Sequence, residues 1–153
     1  MRFNIVALGG TFDIIHKGHI ALLTLAFSIS KYVIIGVSSD KFAIERGKSI
    51  MNDYNTRVNN LKNVLINYDN RYTIIRLDDD FGPALYRDDI EALIVSKETE
   101  EKGRILNRLR KENGLKELEI ITIDMVLAND GKPISSTRIK RGEIDTEGNL
   151  RSF

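Results

Sequence analysis

Apolar residues fall in two patterns along this chain: short unbroken runs, and longer stretches in which they recur every three or four positions. "FNIVALGG" (3–10), "KYVIIGVSSD" (31–40), "RYTIIRL" (71–77), "EALIVS" (91–96) and "LEIITIDMVL" (118–127) belong to the first pattern and predict strands. Between them, "KGHIALLTLAFSIS" (17–30) predicts a helix with Ile20, Leu23 and Phe27 on one face. "NTRVNNLKNVLINY" (55–68) predicts another, with Val58, Leu61 and Leu65 on one stripe. "KETEEKGRILNRLRKENG" (97–114) predicts a third, with Ile105 and Leu109 inward and Gly114 closing its C-terminus. Ser39 or Asp40 is placed to cap a short helix, "NDGKP" (129–133) is a turn, and "SSTRIKRG" (135–142) opens a last helix.

Near-continuous apolar strands are those of a parallel sheet covered on both faces. Strands alternating with helices then predict an α/β three-layer sandwich on a five-stranded parallel sheet, joined by right-handed crossovers. No linker, repeat or low-complexity segment interrupts the pattern, so residues 1–153 are expected to form a single domain. In such sheets ligands bind beyond the carboxyl ends of the strands. Those ends carry "GGTFD", "VSSD", "DDD" and "VSKET", with "SSTR" after the last strand.

Composition narrows the picture. Of 153 residues, 42% are hydrophobic and 29% charged, which suits a soluble globule with a core. The net charge of +1 offers no general attraction to nucleic acid, and no aromatics interleave the basic run at 138–141. Without cysteine there are no disulfides and no thiolate metal ligands. No run is long enough to span a membrane and the first strand is too short for a secretory leader, so a cytoplasmic location without membrane or nucleic-acid partners is expected.

"GGTFDIIHKGHIALL" (9–23) carries the chemistry. Gly9 and Gly10 allow a tight turn that approaches a ligand closely, and Thr11 adds a hydroxyl. The following helix start favours anions. The turn is neither a Walker loop nor G-x-G-x-x-G. His16 and His19, the only histidines of the chain, lie three residues apart and share a helix face. Beside a triphosphate, two imidazoles donate hydrogen bonds to oxygens that gain charge in a transition state. The competing readings are a helix cap with a core histidine, and half a metal site that only Asp13 is at hand to complete.

His16-Lys17-Gly18-His19 after "GGTFD" resembles the H-x-G-H signature of the nucleotidyltransferase superfamily, and "ISSTRI" (134–139) resembles its second signature. Two motifs in this order, more than a hundred residues apart, are more specific than either alone. Within the superfamily the chain is similar to the archaeal and eukaryotic phosphopantetheine adenylyltransferases, through "RGKSI" (46–50), "DDDFGPA" (78–84), "LIVSKET" (93–99) and "RGEIDTEGN" (141–149). The resemblance implies a Rossmann-like nucleotidyltransferase fold. It implies transfer of AMP from ATP to 4′-phosphopantetheine, giving dephospho-CoA and pyrophosphate, with Mg²⁺ and no covalent enzyme intermediate.

Carried over by position, the resemblance implies that Gly9, Gly10 and Thr11 approach the phosphates. His16 and His19 bind the triphosphate, with His19 nearer the α-phosphate. Ser135, Ser136 and Thr137 hold the β- and γ-phosphates and Arg138 adds charge there. Ser96, Glu98 and Thr99 line the nucleotide pocket, while Thr11, Lys48 and Arg57 face the acceptor. Read from the residues alone, the competing readings are a surface loop lysine for Lys48, a helix cap for Ser96, an N-cap for Ser135–Thr137, though a cap needs only one such residue, and either a magnesium site or a polar turn for the aspartates 78–80. The segment after Lys48, "MNDYNTR", departs from the form usual in the superfamily. Two rival functions share the motifs: a transferase acting on nicotinamide mononucleotide or a phospho-alcohol, and a non-catalytic nucleotide-binding module.

Overall fold

The computed structural model describes residues 2–151, so positions 1 and 153, the expected domain bounds, lie outside the described residues. Five parallel strands form one sheet: β1 (Phe3–Gly10), β2 (Ser30–Ser38), β3 (Tyr72–Leu77), β4 (Ala92–Ser96) and β5 (Glu119–Ile123). Their spatial order is β3-β2-β1-β4-β5. The helices are α1 (Lys17–Ile29), α2 (Asp40–Glu45), α3 (Tyr54–Val64), α4 (Glu100–Glu112) and α5 (Ser136–Lys140), with a 3-10 turn at Gly82–Leu85. Chain order reverses beside β1, between β2 on one flank and β4 on the other. A crevice opens at such a reversal, past the strand ends.

Alternation along the strands explains the two cores. Val33, Ile35 and Val37 of β2 face one layer with Leu23 and Phe27 of α1 and Leu61 and Leu65 of and beyond α3. Ile34 faces the other, with Leu106 of α4, Ala84, Ile90 and Leu118. A strand with apolar contacts on both faces needs apolar residues at every position, which is the unbroken run seen in the sequence.

Two inward assignments change. On α1 the inner stripe is Leu23, Ala26 and Phe27, and Ile20 is 41% exposed. The first turn of α1 faces a cavity through Gly18, His19 and Leu22, so its sheet contact starts one turn later. On α4 the inner stripe is Gly103, Leu106 and Arg110, Leu109 is half-buried, and Ile105 is 37% exposed. A Cβ on Gly103 would stand 3.0 Å from Ile120 Cδ1, so the glycine brings α4 close to β5 and sets its rotation. Gly114, at φ +76°, ends α4 as expected, and the Leu115 amide returns to the Arg110 carbonyl at 2.8 Å. The fifth strand is shorter than its apolar run: after Ile123 the chain leaves the sheet, and Leu127 bridges back to Pro133 instead.

Candidate active site

Two cavities open at the strand ends. The larger, about 660 Å³, is walled by the 9–13 turn, the start of α1, residues 47–50, the end of β4, residues 123–126 and the 134–137 segment. The smaller, about 350 Å³, reaches between the sheet and the 3-10 turn, over an apolar floor of Ala7, Ile34, Leu93 and Leu106. Gly9, Gly10, Thr11, Lys48, Glu98 and Thr99 line both. The cavities therefore meet at the glycine turn.

The turn is held by an uncommon backbone. Phe12 has φ +54°, a left-handed value costly for a bulky residue, and its ring is buried in the core against His19, with centroids 5.0 Å apart. Burial of the phenyl group offsets the strain and fixes where Thr11 and Asp13 emerge on either side.

His16 is the N-cap of α1: its Nδ1 accepts from the Gly18 amide at 3.1 Å. His19 Nδ1 accepts from the His16 amide at 3.2 Å, closing a capping box. Capping and ligand binding are thus compatible, because both use different ring nitrogens. An Nδ1 that accepts carries no proton, so each neutral ring bears its hydrogen on Nε2 and is a donor there. The rings stack with centroids 3.8 Å apart and both line the larger cavity. Burial pushes His16 down to about 4. Burial and then the neighbouring His16 push His19 down to about 3, against a smaller opposing pull from the Ile14 carbonyl. Gly18 completes the motif: a Cβ there would lie 2.9 Å from His16 Cε1 and 3.0 Å from its Nδ1.

These histidines give three tests. Long-range nitrogen NMR should find both rings as Nε2–H tautomers that do not titrate between about pH 5.5 and 8; a midpoint near 6.5 would refute the assignment. Their folded pKa values lie below the ordinary 6.5, so the unfolded chain binds more protons below pH 6.5. Stability should hold from pH 8 to 6.5 and then fall toward pH 4, by up to about 1.4 kcal/mol per pH unit for each ring. Gly18→Ala should move the His16 ring, which is buried and stacked, and lower kcat about ten- to a hundredfold, with a loss of stability no larger than the roughly 1 kcal/mol of its cap contact. Wild-type kcat in that variant would mean that the ring position is unimportant.

Asp13 ties the site together, a role its sequence position did not disclose. Its oxygens accept from the Met51 and Asn52 amides, each at 2.9 Å, and pair with the Lys140 ammonium. Lys140 also reaches the Ser49 carbonyl, and Asn52 Nδ2 returns to the Asp13 carbonyl at 2.9 Å. Burial alone would raise the Asp13 carboxyl, but Lys140 and the two amides together carry it below its ordinary value. The hub joins the glycine turn, the 48–52 loop and α5. It explains how Lys48, on an otherwise exposed loop, comes to line both cavities.

Two expected ligands stand elsewhere. Arg57, expected to face the acceptor, is fully buried behind the turn. It donates to the Thr11 carbonyl at 2.8 Å, the Asn52 carbonyl at 3.0 Å and Asp40 at 2.7 Å, so none of its donors faces a cavity. Arg138, expected at the triphosphate, turns its guanidinium to Asp130 and to the Pro133 carbonyl at 3.0 Å, fastening the 130–133 turn. Lys140 and Arg141 line the cavity in its place. Helix spacing carries that signal, since Lys140 and Arg141 follow Ser136 and Thr137 by four positions.

The remaining expected residues lie at the cavities. Ser135 caps α5, accepting from the Arg138 amide at 3.2 Å, and Ser136 Oγ donates to the Ile14 carbonyl at 3.4 Å; both line the larger cavity with Thr137. Ser96 and Glu98 line it too. Ser96 is not the cap of α4: Thr99 holds that position, and its Oγ1 accepts from the Ser96 amide at 3.2 Å.

The model of the cytidylyltransferase-like family matches residues 7–142. Phosphopantetheine adenylyltransferase of Methanothermobacter thermautotrophicus is 48% identical over 149 residues, 97% of this chain and 90% of that protein. The enzyme of the same name from Methanosarcina barkeri is 43% identical over 95% of this chain and 92% of its own. A crystal structure of an Archaeoglobus fulgidus protein of unknown function superposes with a TM-score of 0.71 at 31% identity, over 80% of this chain and 90% of that one. Among the described residues no helix is long and apolar enough to cross a membrane.

Proposed function

The chain belongs to the cytidylyltransferase-like family and, within it, to the phosphopantetheine adenylyltransferases, and from that premise we propose how its two cavities divide the reaction. The enzyme transfers the adenylyl group of ATP to 4′-phosphopantetheine, giving dephospho-CoA and pyrophosphate, a step of coenzyme A synthesis. ATP takes the larger cavity, with its triphosphate along His16, His19 and the 135–137 hydroxyls. The acceptor takes the smaller one, its apolar arm over the sheet face and its phosphate at Lys48 and Thr11.

The observation that carries this reading is the shared wall at Gly9–Thr11 and Lys48: phosphate-bearing molecules in the two cavities would meet there. There an acceptor phosphate oxygen bonds to the α-phosphorus as the bond to the β-phosphate bridging oxygen breaks, and the electron pair leaves with pyrophosphate. No covalent intermediate on the protein is needed, so the chain's work is positioning and stabilising charge. His19 donates from Nε2 to the α-phosphate oxygen that gains charge; His16 holds the next phosphate and, through the stack, the orientation of His19. Lys48 lowers the repulsion between the two anions.

Magnesium is expected to arrive on the triphosphate. Among the described residues no three His, Asp or Glu side chains converge into a cage, which fits an ion held mainly by substrate phosphates and water. The ion would supply charge neutralisation, and Glu98 and Asp124 are the cavity carboxylates that could meet its hydration shell. A cytoplasmic site of action, where ATP is abundant, completes the reading.

The test is pyrophosphate release from ATP and Mg²⁺, expected only when 4′-phosphopantetheine is present. Turnover with nicotinamide mononucleotide but not with phosphopantetheine would overturn the choice of acceptor.

A further inference from the structure

Three consecutive aspartates follow β3, and they have three different partners. Asp78 pairs with Arg76 in solvent. Asp79 Oδ1 accepts from the amides of Phe81 at 3.1 Å and Gly82 at 2.7 Å and so holds the turn. Asp80 does neither. Its Oδ1 receives both the Arg46 guanidinium from the end of α2 and, at 3.3 Å, the Lys102 ammonium from the first turn of α4. All three side chains line the smaller cavity beside Lys48.

Two features make these ion pairs exchangeable. Asp80, Arg46 and Lys102 are 42%, 35% and 39% exposed, and ion pairs so open to water are weak and easily exchanged. The cations also stand close enough to disfavour one another: burial, then repulsion from Arg46 and Lys48, pushes Lys102 below the ordinary lysine range. A phosphate monoester brings about −1.5 to −2 charges and three acceptor oxygens near neutral pH, where a carboxylate brings one charge. Two cations on one carboxylate oxygen also argue against a metal ion at Asp80.

We propose that Asp80 is an internal stand-in for the acceptor's phosphate: it pairs with Arg46 and Lys102 in the free enzyme and offsets part of their charge, the incoming phosphate monoester displaces it, and Arg46 and Lys102 then join Lys48 as phosphate ligands. The proposal rests on the reading that the smaller cavity takes the acceptor. It adds to that reading the residues that recognise the phosphate and a competitor that sets its affinity.

Calorimetry on the ATP-free enzyme tests it, with 4′-phosphopantetheine, pantetheine and inorganic phosphate as probes and thermal melts as a folding control. Asp80→Asn should bind phosphopantetheine and inorganic phosphate roughly three- to tenfold more tightly, since a competing anion is gone, and pantetheine unchanged. Lys102→Met should bind the two phosphate-bearing probes about tenfold more weakly. Equal or weaker phosphate binding by Asp80→Asn overturns the proposal, and so does loss of turnover in that variant without tightening, the result expected of a magnesium ligand. If phosphopantetheine neither binds nor reacts with wild type, the acceptor assignment fails, while inorganic phosphate still decides whether Asp80 competes. Should Asp80→Asn not fold, unchanged phosphate affinity in Lys102→Met overturns the proposal by itself.

Discussion

Replacing His19 by alanine is expected to lower kcat by about 10²-fold or more, as loss of a donor to a developing oxyanion does. The KM for ATP should change much less, because the donor matters most when charge builds on the α-phosphate. His19 has a structural role as well. His19 also closes the capping box of α1, accepting from the His16 amide at 3.2 Å, so alanine removes a cap contact worth about 1 kcal/mol. His16 leans on His19 through the 3.8 Å stack, so part of the loss reflects a loosened His16. His19→Asn separates the effects. Its amide has both an acceptor and donors within a shorter reach, and it should restore stability more fully than kcat. An alanine variant that loses stability and keeps kcat would reduce His19 to a cap.

What the sequence disclosed follows from how locally each feature is encoded. The unbroken run of Val33 to Val37 states that β2 is covered on both faces, since neither face can accept a polar residue. The glycine turn and the two histidines converge on one cavity as their spacing states, because positions within one helical turn share a face. The rotation of a helix about its axis is less local. Ile105 and Leu106 are neighbours, and the choice between them was made by Gly103 closing on Ile120 of a strand not yet formed in sequence. Long cationic side chains are the least legible. Arg57, Arg138, Arg46 and Lys102 look alike in the sequence, yet the first two point away from the cavities and the last two into one. A flexible stem reaches a carbonyl or a carboxylate from any of several rotamers, and only the assembled turns and loops decide which partner is in range.

Arg57 is where that difference becomes measurable. Its side chain is fully buried, and it donates to the carbonyls of Thr11 and Asn52 and to Asp40. Arg57→Met would fill much of the volume but leave two carbonyls without a donor, while the partly exposed Asp40 regains water. Each carbonyl orphaned in this half-buried setting costs about 1–2 kcal/mol, so a loss of roughly 2–4 kcal/mol is expected. For a chain of this size that is a fall of about 5–15 °C in Tm. The catalytic effect should be a loss of kcat shared by both substrates, because Thr11 and the loop that carries Lys48 both hang from this guanidinium. Arg57→Lys keeps the charge but replaces a three-way fork by a single ammonium, and should recover little. An arginine that bound the acceptor's phosphate would behave in the opposite way. Tm would stay near wild type, the KM for phosphopantetheine alone would rise, and lysine would restore part of it. Melting curves and the two KM values for Arg57→Met and Arg57→Lys therefore decide between an arginine that touches the acceptor and one that builds the wall shared by the two cavities.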